Sequence, residues 1–164
     1  MRFAVMSDSH DHLQHVRDAL KIIKNENCEM IIHCGDFVAP FVLKEFEAAG
    51  VATHCVFGNN DGDPFLLSQV ANGSNGLITL YGVFGKMEKA GKTIAFVHEG
   101  FFAEGLAATG KYDMVFFGHS HRQYQDQIGD CLLLNPGDIM GKDAAPGFCI
   151  VDTEGPEIRH ITIS

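Results

Sequence analysis

Six short segments of this 164-residue chain carry Asp, Asn or His directly after an apolar run. They are Asp8-Ser9-His10, Gly35-Asp36, Gly58-Asn59-Asn60-Asp61, His98, Gly118-His119-Ser120-His121 and Asn135-Pro136-Gly137. A chain that only buries a core has no reason to put oxygen and imidazole donors after one strand after another. A chain that builds a metal site on the rim of a sheet has to place them there.

The intervening residues supply the strands. Residues 2–6, 30–34 and 53–57 are β-like runs, and helical patterns separate them. Leu13, Val16, Leu20 and Ile23 share one face of a helix over residues 12–25, with Ser9 or Asp11 available as its cap. Pro40 opens a second helix that Gly50 ends, and Pro64 starts a third through about residue 71. This β-α-β-α-β order argues for parallel strands with helices laid on the sheet. Residues 77–88 and 92–98 read as two strands turned at Ala90-Gly91, followed by a helix over 101–108 and a strand over 113–117. Strands over 123–128, 131–134, 148–152 and 157–163 complete the chain, with turns at Gly129-Asp130 and Glu154-Gly155. No repeat or linker interrupts it, so residues 1–164 are expected to form one layered domain of two mixed sheets with helices outside.

Composition narrows the class of function. Hydrophobic residues make up 46% of the chain without any biased tract, which specifies a globular protein. No apolar run approaches the roughly 20 residues a membrane helix needs. The first residues lack an apolar export segment, so the expected location is cytoplasmic. Five cysteines without a Cys-x-x-Cys pair read as reduced thiols packed in strands. Twelve basic against 21 acidic residues give a formal charge of −9, which argues against a nucleic-acid groove. A small anion held by metal ions remains compatible with that charge.

Asp8, His10, Asp36, Asn59, His98, His119 and His121 offer two carboxylates, four imidazoles and one amide. One cation rarely uses seven protein ligands, whereas two cations sharing a carboxylate use them all. Mixed oxygen and imidazole donors suit manganese, iron, cobalt, nickel or zinc better than calcium or magnesium. Asp8/His10 and His119/His121 are i, i+2 pairs, which an extended segment would point to one side. Gly35, Gly58 and Gly118 precede ligands where close backbone approach is needed. Two divalent ions, two carboxylates and a bridging hydroxide leave a charge of about +1, which matches a phosphodiester anion. Ions about 3.5–4 Å apart supply a hydroxide nucleophile and clamp the phosphate oxygens.

These motifs resemble those of the calcineurin-like metallophosphoesterases, in their small bacterial and archaeal phosphodiesterase branch. That family's pattern is D-x-H, G-D, G-N-H-D, a lone His and G-H-x-H. The resemblance spans residues 3 to about 137 of this chain. It implies an α/β fold, a four-layer αββα sandwich of two mixed β-sheets flanked by helices. It implies one metal on Asp8, His10, Asp36 and His121, and a second on Asp36, Asn59, His98 and His119, with Asp36 bridging. Manganese is the first choice of ion, with nickel, iron, cobalt or zinc as alternatives. The implied reaction is hydrolysis of a small phosphodiester by the bridging hydroxide, and small relatives often pair as homodimers.

The chain departs from the family pattern at three positions. Asn60 replaces the His that touches phosphate and protonates the leaving group, and Asn cannot donate a proton in that way. Diesters, or esters with good leaving groups, are therefore the expected substrates. Asn60 becomes the candidate catalytic and substrate-binding residue, with Asp61 beside it as an orienting group or a cap for the next helix. Glu99 intervenes between His98 and Gly100, and Asp138 replaces the Ser of Asn-Pro-Gly-Ser.

Simpler readings apply elsewhere. His33 and His54 lie in strands and read as packing residues, and His12 sits close enough to the site to reach a substrate. The Phe101-Phe102 pair and the other phenylalanines read as core. Two rival functions remain. One is a non-catalytic interaction module on the same fold, as in trafficking-scaffold relatives with an eroded metal site. The other is a bare metal-binding or sensing protein. The complete set of seven ligands favours an enzyme.

Overall fold

The structure is a computed structural model and describes residues 1–155 and 157–164. Among these residues, β1 (Arg2–Met6), α1 (Leu13–Asn25), β2 (Met30–His33), α2 (Phe41–Ala49), β3 (Ala52–Cys55), α3 (Pro64–Gly73) and β4 (Ile78–Leu80) come first. They are followed by β5 (Phe84–Lys89), β6 (Lys92–Val97), α4 (Gly100–Ala108) and β7 (Met114–Phe116). The chain closes with β8 (Gln123–Ile128), β9 (Cys131–Pro136), β10 (Gly147–Asp152) and β11 (Ile158–Thr162). The strands form a six-stranded sheet of order β11-β10-β1-β2-β3-β4 and a five-stranded sheet of order β5-β6-β7-β9-β8. β1 to β4 pair in parallel, as do β6, β7 and β9, and antiparallel strands complete each sheet.

Strand alternation sorts the side chains into three apolar layers. Ala4, Met6, Ile31, Phe148 and Ile150 face α1, α2 and α3, meeting Val16, Leu20, Ile23, Leu43, Phe46 and Leu67. Phe3, Val5, Ile32, Cys149 and Val151 point the other way, onto Ile94, Phe96, Phe116, Leu132 and Leu134 of the second sheet. Ala95, Val97, Val115 and Leu133 form the outer face of that sheet and pack on Ala103 and Ala107 of α4. The result is helix, sheet, sheet, helix, the αββα sandwich implied by the motifs. Each fully buried Ile, Leu or Phe contributes about 1.5–3 kcal/mol, so the layer between the sheets dominates the energy that holds them together.

Local chemistry explains most element ends. Asp63 Oδ1 accepts from Leu66 N at 2.9 Å, with Pro64 opening α3. Gly50 ends α2 in the left-handed conformation. Two expectations change. The cap of α1 is His12, whose Nδ1 accepts from His15 N at 3.3 Å. Ser9 and Asp11 do not cap it, because their loop is turned toward β2, with Asp11 N donating to Phe37 O. Residues 77–88 are not one strand. They divide around Tyr81-Gly82-Val83 into β4 of the first sheet and β5 of the second, and this is where the chain crosses between layers. The buried positions change phase there, from Ile78 to Gly85 and Met87, and strand-forming residues on both sides leave the crossing unmarked in composition.

All five cysteines are buried free thiols, although Cys28 and Cys34 flank β2 rather than lie in it. Among the described residues, no helix is long and apolar enough to cross a membrane.

Candidate metal centre

Every predicted ligand stands just beyond the carboxyl end of a parallel strand. Asp8 and His10 follow β1, Asp36 follows β2, Asn59 and Asn60 follow β3, His98 follows β6, and His119 and His121 follow β7. Open α/β sheets place their sites at these edges, and here two sheets bring two such edges together. The loops are laced to one another by backbone bonds. Asp8 N donates to Gly35 O, His10 N to Asp36 O, Gly118 N to His98 O and Met140 N to Asp8 O.

The structure brings all seven donors to one place. Asp8, His10 and His121 form one group, and Asp8, Asp36 and His98 a second, with the ligand atoms in each group within 4.8 Å of one another. Asn59 Oδ1 closes the second side, 2.9 Å from both His98 Nε2 and His119 Nδ1. His10 Nε2 and His98 Nε2 face opposite oxygens of Asp36, each at 3.4 Å. Asp8 is common to both groups, and Asp36, a member of the second, also faces His10 of the first.

The backbone reaches this arrangement by an unforeseen route. Asp8, His10, Asp36, His119 and His121 all have positive φ, between 41° and 67°. The i, i+2 pairs are therefore not extended, and left-handed turns swing their side chains inward. Such conformations are uncommon for residues other than glycine and persist where the surroundings enforce them. Two glycines make room. A Cβ on Gly118 would lie 1.9 Å from Ser7 Oγ and 2.6 Å from Asp8 Oδ2. One on Gly58 would lie 2.1 Å from Asp36 Oδ1.

Charge and burial conflict unless a cation is supplied. Asp8 is 0% exposed and Asp36 is 1% exposed. Burying a carboxylate without a partner costs several kcal/mol. Burial raises the Asp8 carboxyl above its usual range. It acts on Asp36 in the same direction, but His10, His98 and the two Asn60 donors outweigh it and hold that group well below the usual range. The Asp36 carboxylate in turn raises His10. Burial works against a charged His98, yet Asp36, Asp8 and the Cys34 carbonyl raise it. Asp8 Oδ1 and His10 Nε2 are buried without a well-formed hydrogen bond, His10 Nε2 reaching only the long 3.4 Å approach to Asp36 Oδ2. An oxygen and an imidazole nitrogen orphaned side by side, in a donor set typical of transition ions, fit a bound divalent metal.

Partners behind the ligands aim them. His98 Nδ1–H donates to Cys34 O at 2.8 Å, which turns Nε2 toward the site. His121 Nδ1–H donates to Asp138 Oδ2 at 2.8 Å, and Asp138 is itself buried. A carboxylate behind a ligand histidine fixes its tautomer and raises its basicity. His33 is fully buried, as a packing residue would be, but it also braces two motifs. Gly35 N donates to its Nδ1, so Nε2–H donates to Ser9 Oγ at 3.2 Å. Burial pushes its pKa down to about 3, which keeps the ring neutral. Nothing in the sequence separates His33 from a core histidine, except that it lies two residues before the Gly35-Asp36 motif. Asn135 Nδ2 donates to Gly118 O, tying the last motif to the His119–His121 loop.

The remaining predicted residues occupy different positions. Asn60 lies exposed at the rim, with its backbone N and its Nδ2 both donating to Asp36. Asp61 accepts from Phe37 N and Val38 N through Oδ1 and from Gly58 N through Oδ2, so it clamps two ligand loops, and Asp63 caps α3. Glu99 Oε2 stands 3.6 Å from His119 Nε2. His12 spends Nδ1 on its helix cap. The phenylalanine reading needs correction. Phe101 is 82% and Phe102 61% exposed, and Phe41, Phe65 and Phe84 are exposed as well. In α4 the fully buried residues that meet the sheet are Ala103 and Ala107, with half-buried Leu106 beside them, which lets the helix sit close and turns its phenylalanines outward.

The same fold occurs in known proteins. The calcineurin-like phosphoesterase superfamily domain matches residues 1–155. Phosphodiesterase MJ0936 of Methanocaldococcus jannaschii is 36% identical over 167 residues, with 99% of each chain covered. A solved structure of a novel archaeal phosphodiesterase superposes with a TM-score of 0.92 at 36% identity, again over 99% of each chain. Vacuolar Protein Sorting 29 of Cryptosporidium parvum superposes at 0.71 with 14% identity, over 99% of this chain and 97% of that one. A likeness that distant shows the fold alone. The extent of these matches, together with the site geometry, means that the chain belongs to the calcineurin-like phosphoesterase superfamily.

Proposed function

We propose that the chain is a metal-dependent phosphodiesterase in which one domain, residues 1–164, holds two divalent ions. The family implies divalent metal, and the orphaned Asp8 Oδ1 and His10 Nε2 are the observation that carries the reading. Asp8, His10, Asp36 and His121 would hold one ion. Asp36, Asn59, His98 and His119 would hold the other, with Asp36 shared. Manganese is the first choice, and nickel, iron, cobalt or zinc fit the same donors. Bound there, the ions supply Lewis acidity, both to acidify the attacking water and to offset charge on the phosphoryl oxygens.

The protein's own groups do the rest. Asp138 and the Cys34 carbonyl hold protons on the outer nitrogens of His121 and His98, keeping the inner nitrogens as donors. Asp61 is a positioning residue that fixes the Asp36 and Asn59 loops. Asn60, at the exposed rim, donates to a phosphoryl oxygen of the substrate. It brings no acidic proton, so diesters with good leaving groups are favoured over monoesters. The named activity of the M. jannaschii relative supports the diester class. The filled ligand set weighs against an interaction module. The acidic balance weighs against nucleic acid.

The deciding experiment is hydrolysis of bis-p-nitrophenyl phosphate after chelator treatment and dialysis, with and without added manganese, from mildly acidic to alkaline pH. Metal-restored turnover is expected. No metal-stimulated turnover at any pH overturns the reading.

A further inference from the structure

The loops that carry the metal donors also form the inner end of a cleft of about 930 Å³. Asn59 and His98 line that end, and Val83, Phe84, Phe101 and Phe102 line the apolar remainder. Val83 is 74% exposed, and Phe101 and Phe102 pack edge to face with ring centroids 5.7 Å apart. Three elements contribute to this wall: the loop after β3, the crossing from β4 to β5, and α4. Surface helices normally turn their apolar side to the core, whereas α4 buries alanines and presents phenylalanines to the cleft. Exposed apolar surface of this extent marks a binding surface.

Position and charge identify the occupant. The cleft is continuous with the Asn59–His98 side of the metal centre, so a group esterified to a phosphate there extends into it. The smaller cleft beside His121, about 460 Å³, has Arg122, Asp138 and Asp143 in its walls and suits a polar group instead. Glu99 and Glu104 are the charged groups lining the larger cleft, and no Lys or Arg of the described residues lines it. A second anionic group, as in an oligonucleotide or a nucleoside polyphosphate, is therefore repelled.

We propose that this cleft selects phosphodiesters whose second ester group is large, uncharged and apolar, with Phe101 and Phe102 as the specificity determinants. The proposal rests on the phosphodiesterase reading and adds the substrate class. The test uses p-nitrophenyl phosphodiesters that share one leaving group and differ in the second ester: methyl, phenyl, 1-naphthyl and 2-carboxyethyl. kcat/KM for the naphthyl ester is expected to exceed that for the methyl ester by about ten-fold or more, with the carboxyethyl ester below methyl. The paired substitutions Phe101→Ser and Phe102→Ser are expected to lower the naphthyl-to-methyl ratio about five-fold. Both residues are exposed, so folding is retained. Without metal, in chelator, saturable binding of 2-naphthol followed by its fluorescence is expected in the native protein and weakened in the paired variant. Equal rates for methyl and naphthyl esters, or a ratio unchanged by the substitutions, overturn the proposal and leave the diesterase reading standing. Turnover of no ester overturns that reading, and the proposal with it. A dimer that the substitutions convert to monomer, with the ester preference unchanged, assigns the face to a second copy of the chain and also overturns the proposal.

Discussion

The floor and the flank of the site are built on opposite terms. On the floor, Asp8, Asp36, His33 and His98 are at most 4% exposed, and backbone bonds lace their loops together. On the flank, α4 is held by Ala103, Ala107 and half-buried Leu106, and presents Phe101 at 82% exposure. Chemistry needs donors fixed within fractions of an ångström, which close packing provides. Selectivity needs a wall that can change without unfolding the protein, and a lightly held helix face provides it. The contrast predicts that floor substitutions damage metal binding, fold and rate together, whereas flank substitutions alter only preference.

The sharpest way to break this contrast is Asp36→Ala. It removes the carboxylate that faces His10 on one oxygen and His98 on the other, so turnover is expected to fall by about 1,000-fold and bound metal to drop below one ion per chain by elemental analysis. A variant that keeps two ions would show that Asp36 is not shared. Gly118→Ala comes next. Its Cβ would collide with Ser7 Oγ and Asp8 Oδ2, and the expected loss is about 1–3 kcal/mol in urea unfolding together with weakened metal binding. Unchanged unfolding would mean that the floor yields more readily than its geometry implies.

Asp138→Ala tests support for the floor from one layer further out. Without the carboxylate on Nδ1, His121 is expected to lose about 10–100-fold in metal affinity, measured by competition with a chromogenic chelator. Acid gives a milder perturbation. His10 and His98 are both raised above their ordinary value, so the charged rings persist to higher pH than usual. Metal binding needs these rings neutral, so lowering the pH through their raised values releases metal, and uptake near those values releases protons. Calorimetry in two buffers of different ionisation enthalpy measures that release, and a proton-independent uptake would contradict it. On the flank, Phe102→Ser is expected to change unfolding stability by less than about 0.5 kcal/mol. A larger loss would make the flank structural and erase the contrast.

Six of the seven candidate donors stand in short motifs that announce themselves locally, whereas His98 stands alone. Asp8-Ser9-His10 and Gly118-His119-Ser120-His121 combine ligand chemistry with the glycine or short polar residues a turn requires, and these survive any tertiary arrangement. The alternation of strands and helices was legible for the same reason, since period 2 and period 3.6 are properties of neighbours. Most strand bounds differ from their expected positions by one or two residues. The crossing at Tyr81-Gly82-Val83 was not legible, because strand-forming residues lie on both sides of it while β4 and β5 pair with different sheets. The part played by Asp138 was hidden as well. Its partner His121 lies 17 residues away, and only the folded loops bring them together.

By itself, then, the chain determined which atoms are available as ligands, the order in which strands deliver them, and the two-sheet, helix-flanked class of fold. Folding alone decided the left-handed turns that aim Asp8, His10, Asp36, His119 and His121, the bracing role of His33, and the outward face of Phe101 and Phe102. The physical reason is the range over which each is set. Donor chemistry and periodicity belong to a residue and its neighbours, whereas burial, strain and charge pairing depend on what the rest of the chain places opposite them.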